Sequence, residues 1–205
     1  MEINYVCSLG SLCHSSSLIK KNNLKRESYP FDWIFSNYDN IMHCIENDFS
    51  IFLDKSYYIS ISNNICGHSY YNEQMFRHHN PLINENEYNY YVRCVNRFKK
   101  LLLYKEPKLF IMVFVNMNDV TDFLKNEIIN FNNKFKTHTH NYTLLVIFHI
   151  PKKQMNHHIF TYNDNIHFLE LHTISNSNGV FFINNDDNNY LNGIIHNTYN
   201  FNIKD

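Results

Sequence analysis

Apolar residues recur along the chain in two rhythms. Unbroken runs at 3–9 (INYVCSL), 108–115 (KLFIMVFV) and 143–150 (TLLVIFHI) have the length and content of buried strands. IHFLELHTI (166–174) alternates like a half-exposed strand, and VFFIN (180–184) reads as a short fourth partner. Between them the spacing becomes helical. Gly10 closes the first run, Ser11 is placed to cap, and a helix is predicted over 12–24. Ile41, Met42, Ile45 and Phe49 share one face of a second helix over 37–49. Further helices are predicted over 84–104 (before Pro107), 120–135 and 189–201, with short strands near Tyr57–Ile61. Strands separated by helices imply crossover connections. The expected fold is therefore α/β, a three-layer, mostly parallel and doubly wound sheet with helices on both faces, in one domain over 1–205. Ligands of such sheets bind at the carboxyl ends of the strands, where the Gly10–Cys13 loop falls.

Composition changes this picture little. The chain has 205 residues and a formal net charge of −1, so no global field favours nucleic acid or an anionic membrane. Alanine is absent and asparagine dominates, the residue usage of AT-rich codons. Seventeen Phe and 15 Tyr supply ample surface to bury, which argues against disorder in the Asn-rich patches. Five cysteines without a CxxC spacing, and no secretory signal pattern, imply reduced thiols in a cytoplasmic setting. No apolar run approaches the length of a membrane span.

Cys13 is the foremost chemical candidate. A thiol in the first turn of a helix meets unpaired N–H groups and the positive end of the dipole, which lower its pKa. N–H groups of the turn at Gly10 and Ser11 are candidates to receive an oxyanion. The plain alternative is a small buried hydrophobe, the reading given to Cys7, Cys44 and Cys94. A thiolate needs a base, and His78 and His79 sit together before Pro81 and the long helix. Asp32 lies between Phe31 and Trp33, where it either orients a base or caps a turn. Arg93 and Arg97, two of only four arginines, share a helix face at i, i+4, suited to a bidentate carboxylate or phosphate contact or to internal pairing. The other histidines lack zinc spacing, and HExxH, Walker A and GxGxxG are missing, so no metal or cofactor is expected.

Together SLGSLCHSSSLI, YPFDWIFS, FRHHNP and YVRCVNRFKKLL resemble a family of papain-like cysteine peptidases, a domain of unknown function found in bacteria and large DNA viruses. The resemblance spans 5–115, in order, and departs from the family pattern at Cys94 and Asn80. It maps Cys13 to the family's cysteine, His78 or His79 to its histidine, Asp32 to the PFDW aspartate, and Arg93 and Arg97 to the helix arginines. The strand–turn–nucleophile–helix start is also similar to SGNH-type hydrolases, with cysteine in place of their serine. The resemblance implies a cysteine-nucleophile hydrolase with a Cys-His pair acting on a peptide or a small acyl or anionic substrate. It also makes a viral source, and hence host cytoplasm or a virion, an expectation. Two other classes stay open: a binding module with an Asp/His/Arg pocket for a phosphate, sugar or peptide carboxylate, and an inactive structural or virion protein.

Overall fold

In the computed structural model, which describes residues 2–62 and 64–203, the three longest apolar runs lie side by side in one sheet. Chain order is β1 (Glu2–Ile3), β2 (Tyr5–Ser8), α1 (Cys13–Lys21), α2 (Tyr38–Glu46), β3 (Tyr58–Ser62), β4 (Ile65–His68), β5 (Asn72–Phe76) and α3 (Glu85–Leu103). There follow β6 (Lys108–Phe114), α4 (Asp122–Phe135), β7 (Tyr142–Ile150), β8 (His157–Asn163), β9 (Ile166–His172), α5 (Asn185–Thr198) and β10 (Asn200–Phe201). The main sheet has the order β2-β6-β7-β9-β8. Its first four strands are parallel, and β8 is antiparallel to β9. β3, β4 and β5 form a separate antiparallel sheet, and β1 pairs in parallel with β10. The protein is thus mixed α/β with a mixed sheet.

Period-two alternation sorts the buried strand residues into two hydrophobic clusters. Cys7, Phe110, Met112, Leu144, Val146 and Phe148 join residues of α2, α3 and α4, while Val6, Ile111, Val113, Leu145, Ile147 and Leu171 join residues of α1 and α5. Phe31 lies at the aromatic centre of the first cluster, with ring centroids 5.8 Å from Phe49 and 5.5 Å from Phe98. Helix starts are fixed by side-chain caps. Asn37, Asn84, Thr121 and Asn184 each accept a first-turn backbone N–H of α2, α3, α4 and α5, and each such cap contributes about 1 kcal/mol.

The structure adds one strand and corrects two expectations. Between β7 and β9, in a stretch with no predicted element, 157–163 forms β8, a hairpin partner of β9. Residues 180–184 form no strand; Phe182 makes only an isolated bridge to Ser177 and buries its ring. The last helix begins at Asn185 instead of 189, because the Asn184 cap precedes the apolar stripe.

Candidate active site

The first run ends in a turn that only glycine can make. Gly10 has φ +85, and a Cβ there would stand 2.0 Å from Ser36 Oγ. Its N–H donates to Ser8 Oγ at 3.1 Å, and Ser8 Oγ is 2.6 Å from Ser15 Oγ, which donates to Leu12 O at 3.2 Å. Ser11 does not cap α1. Its hydroxyl donates to Val113 O at 3.0 Å and its carbonyl accepts from Ser36 N, tying the turn to β6 and to the PFDW segment. Leu12 is the N-cap residue and makes no side-chain cap, so the first N–H groups of α1 are left without a side-chain acceptor.

Cys13 opens that helix, buried at 7% exposure, with Sγ 3.3 Å from His78 Nε2. His78 arrives from the other sheet, in the turn after β5, and its ring meets Trp33 edge-on with centroids 6.3 Å apart. Val115 and Asn116 from the end of β6, and Ser177–Val180 from the loop after β9, complete the cavity around the thiol. The site therefore sits at the carboxyl ends of parallel strands, with the histidine contributed by the hairpin beside them.

Burial pushes the Cys13 thiol above its ordinary pKa, against the pull of its own backbone N–H and of Arg77. The depressed thiol pKa expected at a helix start is opposed by burial: desolvation outweighs the backbone N–H and Arg77. The other thiols are buried too, and burial raises Cys44 to about 12 and Cys94 to about 11.

The second histidine of the pair is differently placed. His79 Nδ1 lies 3.8 Å from Glu87 Oε1 and its ring stacks on Tyr90, centroids 5.2 Å apart, so it is held to α3. Asp32 is 3% exposed and reaches neither histidine. Its Oδ2 accepts from Lys25 Nζ at 2.7 Å and from Tyr29 N at 3.0 Å, which fastens the loop ahead of Trp33. Burial raises the Asp32 pKa, with Lys25 opposing. Arg93 is exposed on α3, Arg97 Nε is 3.5 Å from Glu27 Oε1, and neither borders the Cys13 cavity.

Removing Asp32 takes a charge-assisted partner from Lys25, which is only partly buried, and an acceptor from the Tyr29 N–H. Asp32→Ala is accordingly expected to cost about 1–3 kcal/mol in urea unfolding, with Cys13 and His78 still in contact in the folded fraction. A loss of Cys13 chemistry without loss of stability would instead make Asp32 part of the reacting site.

Several cavity residues carry no motif and escape a reading of the sequence. Asn116 has φ 58, a backbone that asparagine tolerates. Its amide clamps Ser177, donating to the carbonyl at 2.8 Å and accepting from the N–H at 2.7 Å. Ser177 Oγ in turn lies 2.8 Å from His14 Nδ1, the ring next to the thiol in sequence. Arg77 was available to the same scarcity argument that singled out Arg93 and Arg97, and it adjoins His78.

A mixed α/β chain with a thiol and an imidazole in contact at strand ends defines the class. Residues 4–152 match the family described as "Putative papain-like cysteine peptidase (DUF1796)", and the chain belongs to that family. The matched stretch includes Cys13, Asp32, His78 and His79, while the Ser177–Val180 loop lies beyond it. No curated protein and no solved structure matches the chain. Among the described residues no helix is long and apolar enough to cross a membrane, and no cluster of three or more metal-ligating side chains occurs.

Proposed function

We propose that the protein is a cysteine-nucleophile hydrolase in which Cys13 and His78 act as a dyad. The observation that carries this reading is the 3.3 Å contact between Cys13 Sγ and His78 Nε2 at the mouth of a helix. Because burial favours the neutral thiol, proton transfer accompanies attack rather than preceding it. His78 Nε2 takes the Sγ proton as sulfur bonds to the substrate carbonyl carbon, and the carbonyl electron pair moves to oxygen. The oxyanion is received by the uncapped N–H groups at the start of α1; the Gly10 N–H is already given to Ser8 Oγ. Collapse expels the leaving group, which takes the proton from His78, and leaves a thioester on Cys13. Water then attacks with His78 again as base, releasing the acid and returning the thiol.

A peptide or a small acyl compound is the substrate class. The working unit is one domain that extends past the family match, since the cavity loop at Ser177–Val180 comes from beyond it. A three-layer, SGNH-like arrangement is the finer fold reading, supported by four parallel strands whose alternate residues enter two helix-backed clusters.

The test is ester hydrolysis. Wild type is expected to turn over 4-nitrophenyl hexanoate, and Cys13→Ala to show only the buffer rate, while Cys94→Ala retains turnover. Equal rates for wild type and Cys13→Ala would remove the enzyme reading.

A further inference from the structure

The cavity over Cys13 has a volume of about 460 Å³ and is walled on its apolar side by Leu12, Phe35, Val115 and Val180. Most of its other side-chain acceptors and donors are already committed. Asn116 is spent on Ser177, and Asn178 Oδ1 accepts from the N–H groups of Val180 and Phe181 at 2.9 and 3.0 Å. Arg77 differs. Among the described residues it is the single lysine or arginine on the lining, and none of their aspartates or glutamates lines the cavity. Its Nη1 donates to Gln74 Oε1 at 3.0 Å, and its Cζ lies 5.7 Å from the centroid of the Phe35 ring. Both partners are neutral, and they hold the guanidinium while leaving most of its five donors unspent. No carboxylate among the described residues pairs with it, whereas Arg97 is matched by Glu27 and Lys25 by Asp32.

We infer that Arg77 makes this site selective for acyl substrates bearing a carboxylate a short apolar chain away from the reacting carbonyl. The inference rests on the acyl-transfer reading of the same cavity. The chain packs on Phe35 and Val115, and the guanidinium takes the carboxylate through paired N–H donors. Arg77 thereby does the work that the sequence assigned to Arg93 and Arg97, at the residue next to the base. Its positive field also favours the Cys13 thiolate as the proton leaves.

Two ratios test it. The first compares hydrolysis of 4-nitrophenyl hydrogen adipate with that of 4-nitrophenyl hexanoate. The second compares alkylation of Cys13 by 4-(iodoacetamido)butanoate and by N-butyl iodoacetamide, located by peptide mass spectrometry. In wild type both anionic-to-neutral ratios are expected to exceed those of free cysteine by about 10- to 100-fold, the scale of a hydrogen bond to a charged group. Arg77→Gln is expected to return both to the free-thiol value, and Arg77→Lys to keep most of the preference. Arg77 is exposed, so its variants are expected to melt as wild type does. Ratios equal to free cysteine in wild type, or unchanged in Arg77→Gln, would overturn the inference. The two failures separate: alkylation preference without hydrolysis of either ester refutes acyl transfer and keeps the anion site. Hydrolysis of both esters at equal rates refutes the anion site alone.

Discussion

Replacing His78 by glutamine is expected to slow acylation of Cys13 by about 10²–10⁴-fold, the usual contribution of a positioned general base. The imidazole stands in hydrogen-bond contact with the thiol, and burial makes that thiol reluctant to ionise unaided. Without a base, attack requires the small fraction of thiolate that a desolvated cysteine supplies. His79→Gln should leave the rate nearly unchanged, because His79 stacks on Tyr90 and faces Glu87 instead. Stopped-flow release of 4-nitrophenol from the three proteins, at equal folded concentration, separates these outcomes. A His79→Gln defect as large as that of His78→Gln would mean that the turn rearranges when substrate binds.

The second large effect is on stability in mild acid. His14 and His149 are buried and neutral, and both rings pack on Phe182, at 4.5 and 4.4 Å between centroids. His149 Nδ1 accepts from Asn116 N at 3.1 Å, so Nε2–H donates to Thr173 Oγ1 at 2.7 Å, which passes its own proton to Ser175 O. A second ring proton would point at the Asn116 N–H. Burial, aided by the neighbouring His149, pushes the His14 pKa down to about 3, and burial lowers His149 to about 4. Both values lie below the ordinary histidine pKa of 6.5, so between these limits the unfolded chain binds more protons than the folded one. Stability is therefore full above pH 6.5 and falls as the pH drops toward 4 and 3. Each ring contributes at most about 1.4 kcal/mol per pH unit, or roughly 3–5 kcal/mol for the pair by pH 4.5. Urea midpoints at pH 7.5 and 4.5 measure it, and the double variant His14→Gln/His149→Gln should flatten the slope whatever its starting stability. Equal midpoints at the two pH values in wild type would contradict the assignment. The same rings hold Ser177 and Asn116, so acid should loosen the cavity wall before the whole fold.

Much of the fold is legible because its core strands are unbroken apolar runs. 108–115 and 143–150 lie within a residue or two of β6 and β7, since strands buried on both faces leave no other use for such sequences. β8 was invisible for the opposite reason: 157–163 is a mostly exposed edge strand held by backbone pairing, with little apolar pattern. The asparagines that looked like compositional noise are put to work. Asn37, Asn84 and Asn184 cap helices, and Asn23, Asn116 and Asn141 take up positive φ in a chain with four glycines.

The candidate thiol stands out by register, because Cys13 follows a glycine turn while Cys7 lies within the strand. Its histidine could be narrowed only to two neighbours, because a turn decides which ring faces the thiol. PFDW divides its labour in a way no motif discloses: Phe31 fills the core, Asp32 pairs with Lys25, and Trp33 braces His78. Arg77, Asn116 and Ser177 come from three separate loops, and only the folded chain assembles them.

Time-resolved intact-protein and peptide mass spectrometry after mixing with an activated acyl ester tests the Cys13–His78 dyad most directly. The dyad predicts a single acyl adduct on Cys13 that forms and decays with release of the free acid, and in His78→Gln forms slowly and persists. Adducts spread over the five cysteines, formed no faster than on a free thiol and stable once made, would contradict it.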